Sequence, residues 1–407
     1  MSKKILANGL TVMYRGCSRE SIGNFAGCLS VNVGHVNEPK LGIASLFEKT
    51  LLLQTTDILP VFGGTMTAYT AVGTSLDQVV TRLSRVFNQT VVTDEFVQKA
   101  KQRIADETKR TAFQIMRRMK LLYKHTAFGA DLVRPTEEFL AKLDSYTTEE
   151  VREFANTYYT GKNVVLVLSG TRVSLEQVVK IAEKELSNVP AGEKQKEFVG
   201  DFYTGGFGKI DVYDDVTRLM FGWDMSAFTV DDSPTMNVMM SLLLCQLEWD
   251  FARRIPDAQV EVKIAGYYGA RTLRVYVSSP TASARKMTQI FAEEINKICD
   301  DWISPETLER VRSAAMIEKL DKYEKSDNAA LEVAWQLIGR GNMYDVSNRI
   351  SAIGMTTDED VRALAERVFR GSRVTYIVAA SPDDNVYSYA ELLKALHSDF
   401  LLNDNDE

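Results

Sequence analysis

The chain has 407 residues, of which 45% are hydrophobic and 25% are charged, as is ordinary for a folded globular protein. At about 150 residues per domain, this length suggests two or three domains. The 48 basic and 55 acidic residues give a formal net charge of −7, and the sequence has no long basic run. Composition and charge therefore argue against disorder, coiled coil and nucleic-acid binding.

The cysteines and the hydropathy of the sequence indicate the redox compartment of the protein and whether it could cross a membrane. The four cysteines, Cys17, Cys28, Cys245 and Cys299, lie far apart and form no C-x-x-C pair, which favours a thiol-reducing compartment. The longest apolar stretch, residues 236–247, is shorter than the roughly 20 residues that cross a bilayer. The first residues enter a strand-like run without a signal sequence, so a targeting leader is expected to be absent or already removed.

Hydrophobic periodicity predicts the elements of the first half. Strands are expected at residues 5–14, 24–33 and 64–69. A helix is expected at residues 42–52, and further helices follow the third strand up to about residue 142. The second half is predicted to follow a similar order and to contain a β-hairpin around residues 266–270. Strands with one polar face beside amphipathic helices favour an α+β fold, in which an antiparallel-rich sheet is covered by helices on one side.

A repeated pattern divides the chain into two halves. Residues 147–168 and 356–378 each begin with a threonine, continue through an amphipathic helix to a glycine, and end in a buried strand. Identities recur at an offset of 209 residues, which pairs Thr147 with Thr356, and then at 210. Upstream, three further pairs align at an offset of 211: Val97 with Leu308, Lys101 with Arg312, and Glu107 with Glu318. The alternative, a common helix–glycine–strand unit that arose twice, stays open.

The repeat predicts two homologous halves and a pseudo-duplicated fold. Residues 190–196, PAGEKQK, have the composition of a linker and lie near the midpoint of the chain. We therefore predict an N-terminal domain at residues 1–189, a linker at residues 190–204, and a C-terminal domain at residues 205–407.

The first half also contains an ordered set of short motifs. They are NGLTV at 8–12, NVG at 32–34, EP at 38–39, GIASLFEK at 42–49, FGG at 62–64 and TAYT at 67–70. In this order they resemble the M16 peptidases, the pitrilysin-type or inverted-zinc family. The resemblance extends over essentially the whole chain and implies the family's duplicated, LuxS-metallohydrolase-like α+β fold.

Peptide-cleaving members of this family carry H-x-x-E-H on the first helix. Two histidines one turn apart hold zinc, and the glutamate between them is the general base. Here residues 45–49 read Ser-Leu-Phe-Glu-Lys, so Ser45 and Lys49 replace the histidines while Glu48 is retained. A lysine with a reference pKa of about 10.4 is a cation without a lone pair, so Lys49 would repel a metal. The resemblance implies Glu107 as the third ligand position, although its separation of 58 residues from Lys49 is shorter than in active relatives.

These substitutions predict a chain that is not an enzyme and that has no catalytic residue, metal or cofactor. The degenerate motif positions are Ser45, Glu48, Lys49 and Glu107. The three histidines, His35, His125 and His397, form no local pair, so a metal site built from them would have to be assembled from distant segments. Glu48 is expected to be a helix carboxylate, and the sequence has neither a G-x-S-x-G elbow nor a phosphate-binding loop.

Within the family, loss of the metal site implies three alternatives. They are a core subunit of the mitochondrial ubiquinol–cytochrome c reductase (cytochrome bc1, complex III), the alpha subunit of the mitochondrial processing peptidase, and the metal-free partner in a bacterial two-subunit peptidase. The alpha subunit has a glycine-rich loop early in its second half, whereas here no glycine lies between Gly222 and Gly266. The resemblance therefore favours a non-catalytic structural core subunit. The alternative is an alpha-type, non-catalytic subunit of a heterodimeric processing peptidase, which binds peptide or presequence for a zinc-bearing partner.

The resemblance also implies partners and a location. Such a subunit would lie on the matrix side of the mitochondrial inner membrane, peripheral to it and without a transmembrane segment. It would pair with a second M16-type chain and contact the cytochrome bc1 subunits. Three methionines at helical spacing are predicted to line a core and not a partner surface: Met236, Met239 and Met240.

Overall fold

The computed structural model describes residues 2–16, 25–88, 90–129, 136–170, 173–195, 203–267, 270–324, 326–340 and 345–400. The strands in these ranges are β1 (Ser2–Ile5), β2 (Thr11–Gly16), β3 (Phe25–Val31), β4 (Leu59–Phe62), β5 (Thr67–Gly73), β6 (Val164–Gly170), β7 (Gly206–Asp211), β8 (Thr217–Asp224), β9 (Gln259–Tyr267), β10 (Ala270–Ser279) and β11 (Val374–Ala380).

The helices in the same ranges are α1 (Ile43–Leu52), α2 (Leu76–Asn88), α3 (Asp94–Thr111), α4 (Ile115–Phe128), α5 (Thr136–Ser145), α6 (Thr148–Tyr158), α7 (Leu175–Leu186), α8 (Ser233–Arg254), α9 (Ala284–Asp300), α10 (Pro305–Glu324), α11 (Ser326–Arg340), α12 (Val346–Met355), α13 (Asp358–Phe369) and α14 (Tyr389–Ala395). Among these described helices, none combines the length and the apolar character that a membrane crossing requires.

The chain divides into two compact units. Unit 1 comprises Met1–Arg110, Pro135–Val199 and Leu320–Tyr344, and unit 2 comprises Thr111–Arg134, Gly200–Lys319 and Asp345–Glu407. The change of unit at Val199–Gly200 lies inside the predicted linker. Each unit also contains one segment from the opposite half of the sequence, which brings α4 into unit 2 and α11 into unit 1.

Unit 1 contains a six-stranded sheet in the order β1-β2-β6-β3-β5-β4. The pair β2–β6 is parallel, and the other four neighbouring pairs are antiparallel. Leu29 and Leu166 point to a core shared with α1, α2, α6 and α7. Cys28 and Val167 point to the opposite face and pack against Ala330 and its neighbours on α11. The expectation that helices cover one side of each sheet is therefore wrong here, because a helix from far along the chain covers the second face.

Unit 2 contains a five-stranded sheet in the order β7-β11-β8-β10-β9. Its pair β7–β11 is parallel and the rest are antiparallel, so its topology repeats that of unit 1 without β1. Phe221 and Trp223 of β8 pack in a core with α8, α9 and α13. On the other face, Tyr123 of α4 approaches β8 so closely that a Cβ at Gly222 would lie 2.2 Å from its hydroxyl. The predicted α+β class with antiparallel-rich, helix-covered sheets is confirmed.

The hydrogen bonds at helix ends show how the two repeated segments correspond. Thr147 caps α6 in a capping box with Glu150, and Thr357 caps α13 in a capping box with Asp360. The predicted pairing of Thr147 with Thr356 is therefore wrong by one residue, because the capping positions lie 210 residues apart. In the second half, Thr356 and Thr357 are adjacent, so either could be aligned with Thr147. The hydrogen bonds show that Thr357 caps the helix.

A second pair of corresponding residues performs the same task in each unit. Lys101 Nζ donates hydrogen bonds to the carbonyls of Asp144 (2.7 Å) and Tyr146 (2.6 Å), next to the end of α5. Arg312 Nε donates to the carbonyl of Thr356 (2.7 Å), at the end of α12. Shared strand order and shared helix caps support the homology of the two halves, and the domains at 1–189 and 205–407 stay a proposal.

Several elements differ from their predicted bounds. Residues 5–14 form not one strand but β1 and β2, joined by a turn in which Gly9 adopts the left-handed conformation, with φ of 86°. The short strand β4, which contains Pro60, was not predicted, and β5 begins at Thr67 and continues to Gly73. The predicted strand at 24–33 corresponds to β3, and residue 24 lies outside the described residues.

Helix α8 confirms the interpretation of the methionine-rich stretch. Met236 and Met239 are buried in the core of unit 2, and Met240 packs against that core. The stretch where an alpha-type subunit would carry a glycine-rich loop is thus a helix of 22 residues.

Candidate functional site

Local interactions at its N-terminus fix the position of helix α1. Gly42 precedes the helix with φ of 83°, a left-handed conformation that glycine adopts without a steric penalty. Glu38 accepts hydrogen bonds from the backbone N–H groups of Gly42 (2.6 Å) and Ala44 (2.8 Å). Leu46 and Phe47 anchor the helix in the core of unit 1. The motif positions at 45, 48 and 49 therefore lie on a helix that is held at its start and along its apolar face.

Two of the degenerate motif positions form an ion pair. Lys49 Nζ on α1 lies 3.0 Å from Glu107 Oε2 on α3. The Lys49 side chain is 22% exposed and that of Glu107 is 44% exposed, so water screens the pair in part. The hydrogen bond from Lys49 lowers the pKa of Glu107 below its usual value. Although 58 residues separate them in sequence, the fold brings Glu107 to the last position of the motif. The assignment of Glu107 to the third ligand position stays a prediction.

Glu48, the retained motif carboxyl, is buried with 6% exposure. Burial raises the pKa of Glu48 to about 7, because desolvation disfavours the charged form. The Lys49 ammonium opposes this rise, and the Glu107 carboxylate adds to it. Near neutral pH, the carboxyl of Glu48 is therefore only partly ionised, and it lies beside the Lys49 ammonium.

A buried tyrosine pair next to this helix was missed in the sequence. The hydroxyls of Tyr69 on β5 and Tyr159 at the end of α6 lie 2.8 Å apart. The Tyr159 ring meets Phe47 edge-on at a centroid distance of 4.5 Å. Burial raises the pKa of both phenols, and the nearby charge of Glu48 adds to the rise. Tyr69 lies in the TAYT motif and Tyr159 in the repeated segment, but nothing local in the sequence links the two.

The donor set at this site does not fit zinc. Zinc binds imidazole, thiolate or carboxylate ligands, whereas Ser45 offers a neutral hydroxyl and Lys49 an ammonium. The ammonium already pairs with Glu107, so a metal ion would have to displace one cation to reach the carboxylate. Among the described residues, no group of three or more His, Cys, Asp or Glu side chains is arranged to hold a metal ion.

The histidines and cysteines make separate local contacts. His35 Nδ1 lies 3.0 Å from the carbonyl oxygen of Gly63, and His397 Nδ1 lies 3.5 Å from a guanidinium nitrogen of Arg370. His125 accepts a backbone hydrogen bond from Gly129 at the end of α4. Cys28 and Cys299 are buried free thiols, Cys245 is a partly buried one, and Cys17 lies outside the described residues.

Sequence and structure comparisons define the class of protein to which this arrangement is similar. Residues 145–315 match the family model described as the Peptidase M16 inactive domain. This match and the two helix-covered sheets confirm the resemblance to M16 peptidases that the motifs of the first half indicate. Comparison of the whole sequence with curated proteins gives no match.

Among solved structures, the chain is similar to a protease, to a putative M16-like peptidase and to a chain of Complex III2. A chain of Complex III2 from Candida albicans, with Inz-5 bound, superposes with a TM-score of 0.81 at 12% identity, covering 97% of this chain and 99% of that one. A protease from Helicobacter pylori gives a TM-score of 0.79, and a putative M16-like peptidase from Alicyclobacillus acidocaldarius gives 0.78. Both are 16% identical, and each comparison covers 93% of this chain and 98% of the other. At these identities the likeness establishes the fold.

Proposed function

We propose that this chain is a non-catalytic structural core subunit of the mitochondrial ubiquinol–cytochrome c reductase, complex III. The observation that carries the non-catalytic part is the Lys49–Glu107 ion pair. It places an ammonium against the carboxylate that the family resemblance implies as the third metal ligand. Without the metal, Glu48 has no bound water to activate as a general base.

The structural comparison supports the choice of complex. The likeness to the Complex III2 chain extends over nearly the full length of both chains. The match of residues 145–315 to the inactive M16 domain also fits a non-catalytic role. As such a subunit, the chain would lie peripherally on the matrix side of the inner membrane, beside a second M16-type chain and the cytochrome bc1 subunits.

A second candidate is the metal-free partner of a two-subunit peptidase. The similarity to two bacterial peptidases favours this candidate, because their TM-scores are close to that of the Complex III2 chain. An alpha-type processing subunit is less favoured, because helix α8 occupies the stretch where that subunit carries its flexible loop. In either case the partner chain would supply the zinc.

The identity of co-purifying chains separates these candidates. We expect a tagged full-length chain, isolated in a mild detergent, to bring down cytochrome b and cytochrome c1 in one assembly with ubiquinol–cytochrome c reductase activity. We also expect depletion of the chain to lower that activity. Recovery of the chain with a zinc-bearing M16 partner, and without cytochromes, would contradict the proposal and support the peptidase alternative.

A further inference from the structure

Strand β9 forms an outer edge of the unit 2 sheet. It pairs antiparallel with β10 over its full length, from Gln259 opposite Ser278 to Tyr267 opposite Ala270. Within the described residues, no strand lies on its other side. The outer edge of a strand carries backbone N–H and C=O groups that can pair with another strand.

The other three sheet edges are poor templates for further pairing. Strand β4 has four residues and contains Pro60, which has no N–H to donate. Strand β1 also has four residues and carries two adjacent cations, Lys3 and Lys4. Strand β7 has six residues, and two of them, Gly206 and Gly208, are glycines that weaken pairing. Strand β9 is longer, with nine residues and no proline.

The sequence of β9 is complementary to itself in the antiparallel direction. On one face, Val260 and Val262 pack against the core of unit 2, while Ile264 remains 42% exposed. On the other face, Glu261 and Lys263 form a salt bridge and are both substantially exposed. If a second copy is aligned with Val262 opposite Val262, each Glu261 faces a lysine, and each Ile264 faces a valine.

We propose that β9 pairs antiparallel with β9 of a second copy of this chain, about a two-fold axis at Val262. Residues 259–265 then form a ladder, and two sheets join into one of ten strands. On the polar face, the two Glu261 carboxylates and the two Lys263 ammonium groups alternate in sign around the axis, so that each charge has an opposite neighbour both along and across the strands. On the apolar face, Val260 of the second copy covers the exposed side chain of Ile264.

This pairing is independent of the proposed function and predicts a weak dimer. A seven-residue ladder buries far less surface than the roughly 1,600 Å² of a standard stable interface, so dissociation constants in the micromolar range are expected. We expect the purified full-length chain to show a rise in average mass toward the dimer at concentrations of the order of 100 µM in analytical ultracentrifugation.

Charge reversal tests both the edge and the register. Glu261→Lys places two lysines opposite two lysines, and Lys263→Glu places two carboxylates opposite two carboxylates, so each variant alone should dimerise about tenfold more weakly or worse. An equimolar mixture of the two variants restores opposite charges at every position and should form a heterodimer at least as tight as the wild-type dimer. Glu95→Lys, which reverses a similarly exposed carboxylate paired with Lys99 on α3, is the matched control and should leave the dimer unchanged.

Each failure of this pattern overturns the proposal. A wild-type chain that stays monomeric over the whole concentration range shows that β9 does not bind a second copy. A dimer that both charge-reversal variants form as well as the wild type uses another surface. A mixture that does not regain the dimer contradicts the register about Val262. Circular dichroism of each variant checks that the fold is retained.

Discussion

Glu48 carries a carboxyl group whose titration should affect the stability of unit 1. Burial raises the pKa of Glu48 to about 7, above the value of about 4.3 expected for an unfolded chain. Between these values the folded chain binds a proton that the unfolded chain releases, so this group lowers the stability progressively as the pH rises from about 4.3 to 7.

Replacement of this carboxyl by an amide tests the effect. We expect Glu48→Gln to unfold at higher urea concentration than the wild type at pH 8, by at most about 4 kcal/mol in the free energy of unfolding, and to differ little at pH 5. Part of the pH dependence should remain, since burial also raises the pKa of Glu38 to about 7. An equal effect of the substitution at both pH values would show that the buried charge of Glu48 is not its cause.

Lys49 and Ser45 should together account for the lack of fit to zinc. Positions 45 and 49 are one helical turn apart on the same face of α1, and Glu107 already reaches position 49. We therefore expect Ser45→His combined with Lys49→His to bind about one zinc per chain, as measured by metal analysis after dialysis. Ser45→His alone keeps the ammonium and should bind none, and a double variant without zinc would show that Glu107 is not placed as a third ligand.

The part of the candidate site whose residues are close together in sequence could be predicted from the sequence. Ser45, Glu48 and Lys49 lie within five residues on one helix, so the motif alone placed them together. Glu107 was identified through the family resemblance, but its contact with Lys49 depends on the packing of α3 beside α1. The Tyr69–Tyr159 contact joins residues 90 positions apart, and no local pattern encodes it.

At the scale of elements, Lys101 and Arg312 donate hydrogen bonds to backbone carbonyls at the ends of corresponding helices, α5 in unit 1 and α12 in unit 2. Lys101 is buried, and its ammonium satisfies two backbone carbonyls next to the end of α5. We expect Lys101→Met to lower the free energy of unfolding by about 1–3 kcal/mol, because these carbonyls lose a charged donor. Urea denaturation measures the change, and Lys99→Met, on the exposed side of the same helix, should change little. Equal losses in both variants would contradict a specific capping role.

Long, strongly periodic elements were predicted better than short ones. Helix α1 and the hairpin of β9 and β10 were predicted close to their observed places. Strand β4 was not predicted, because a segment of four residues that includes a proline shows little of the pattern of a strand. The turn between β1 and β2 was not predicted, because the apolar residues on both sides of Gly9 fit the pattern of a single strand.

At the scale of the whole molecule, each unit depends on a segment from the other half of the sequence. Residues 1–199 alone would lack α11 and leave one face of the unit 1 sheet uncovered, including Cys28, Ala68 and Val167. We expect this fragment to aggregate on expression.

The same fragment joined through a flexible linker to residues 320–344 should be soluble and unfold cooperatively, because the missing helix is restored. Size-exclusion chromatography and thermal denaturation compare the two. A monodisperse, cooperatively folded fragment of residues 1–199 would show that α11 is dispensable for unit 1.

The placement of α11 also sets an order of events while the chain is being made. Translation at roughly 5–20 residues per second needs some 7–30 s to proceed from residue 199 to residue 344. During this interval the N-terminal sheet has left the ribosome while the apolar face that α11 covers is still exposed to water. We therefore expect the nascent chain to bind a chaperone until α11 has been synthesised.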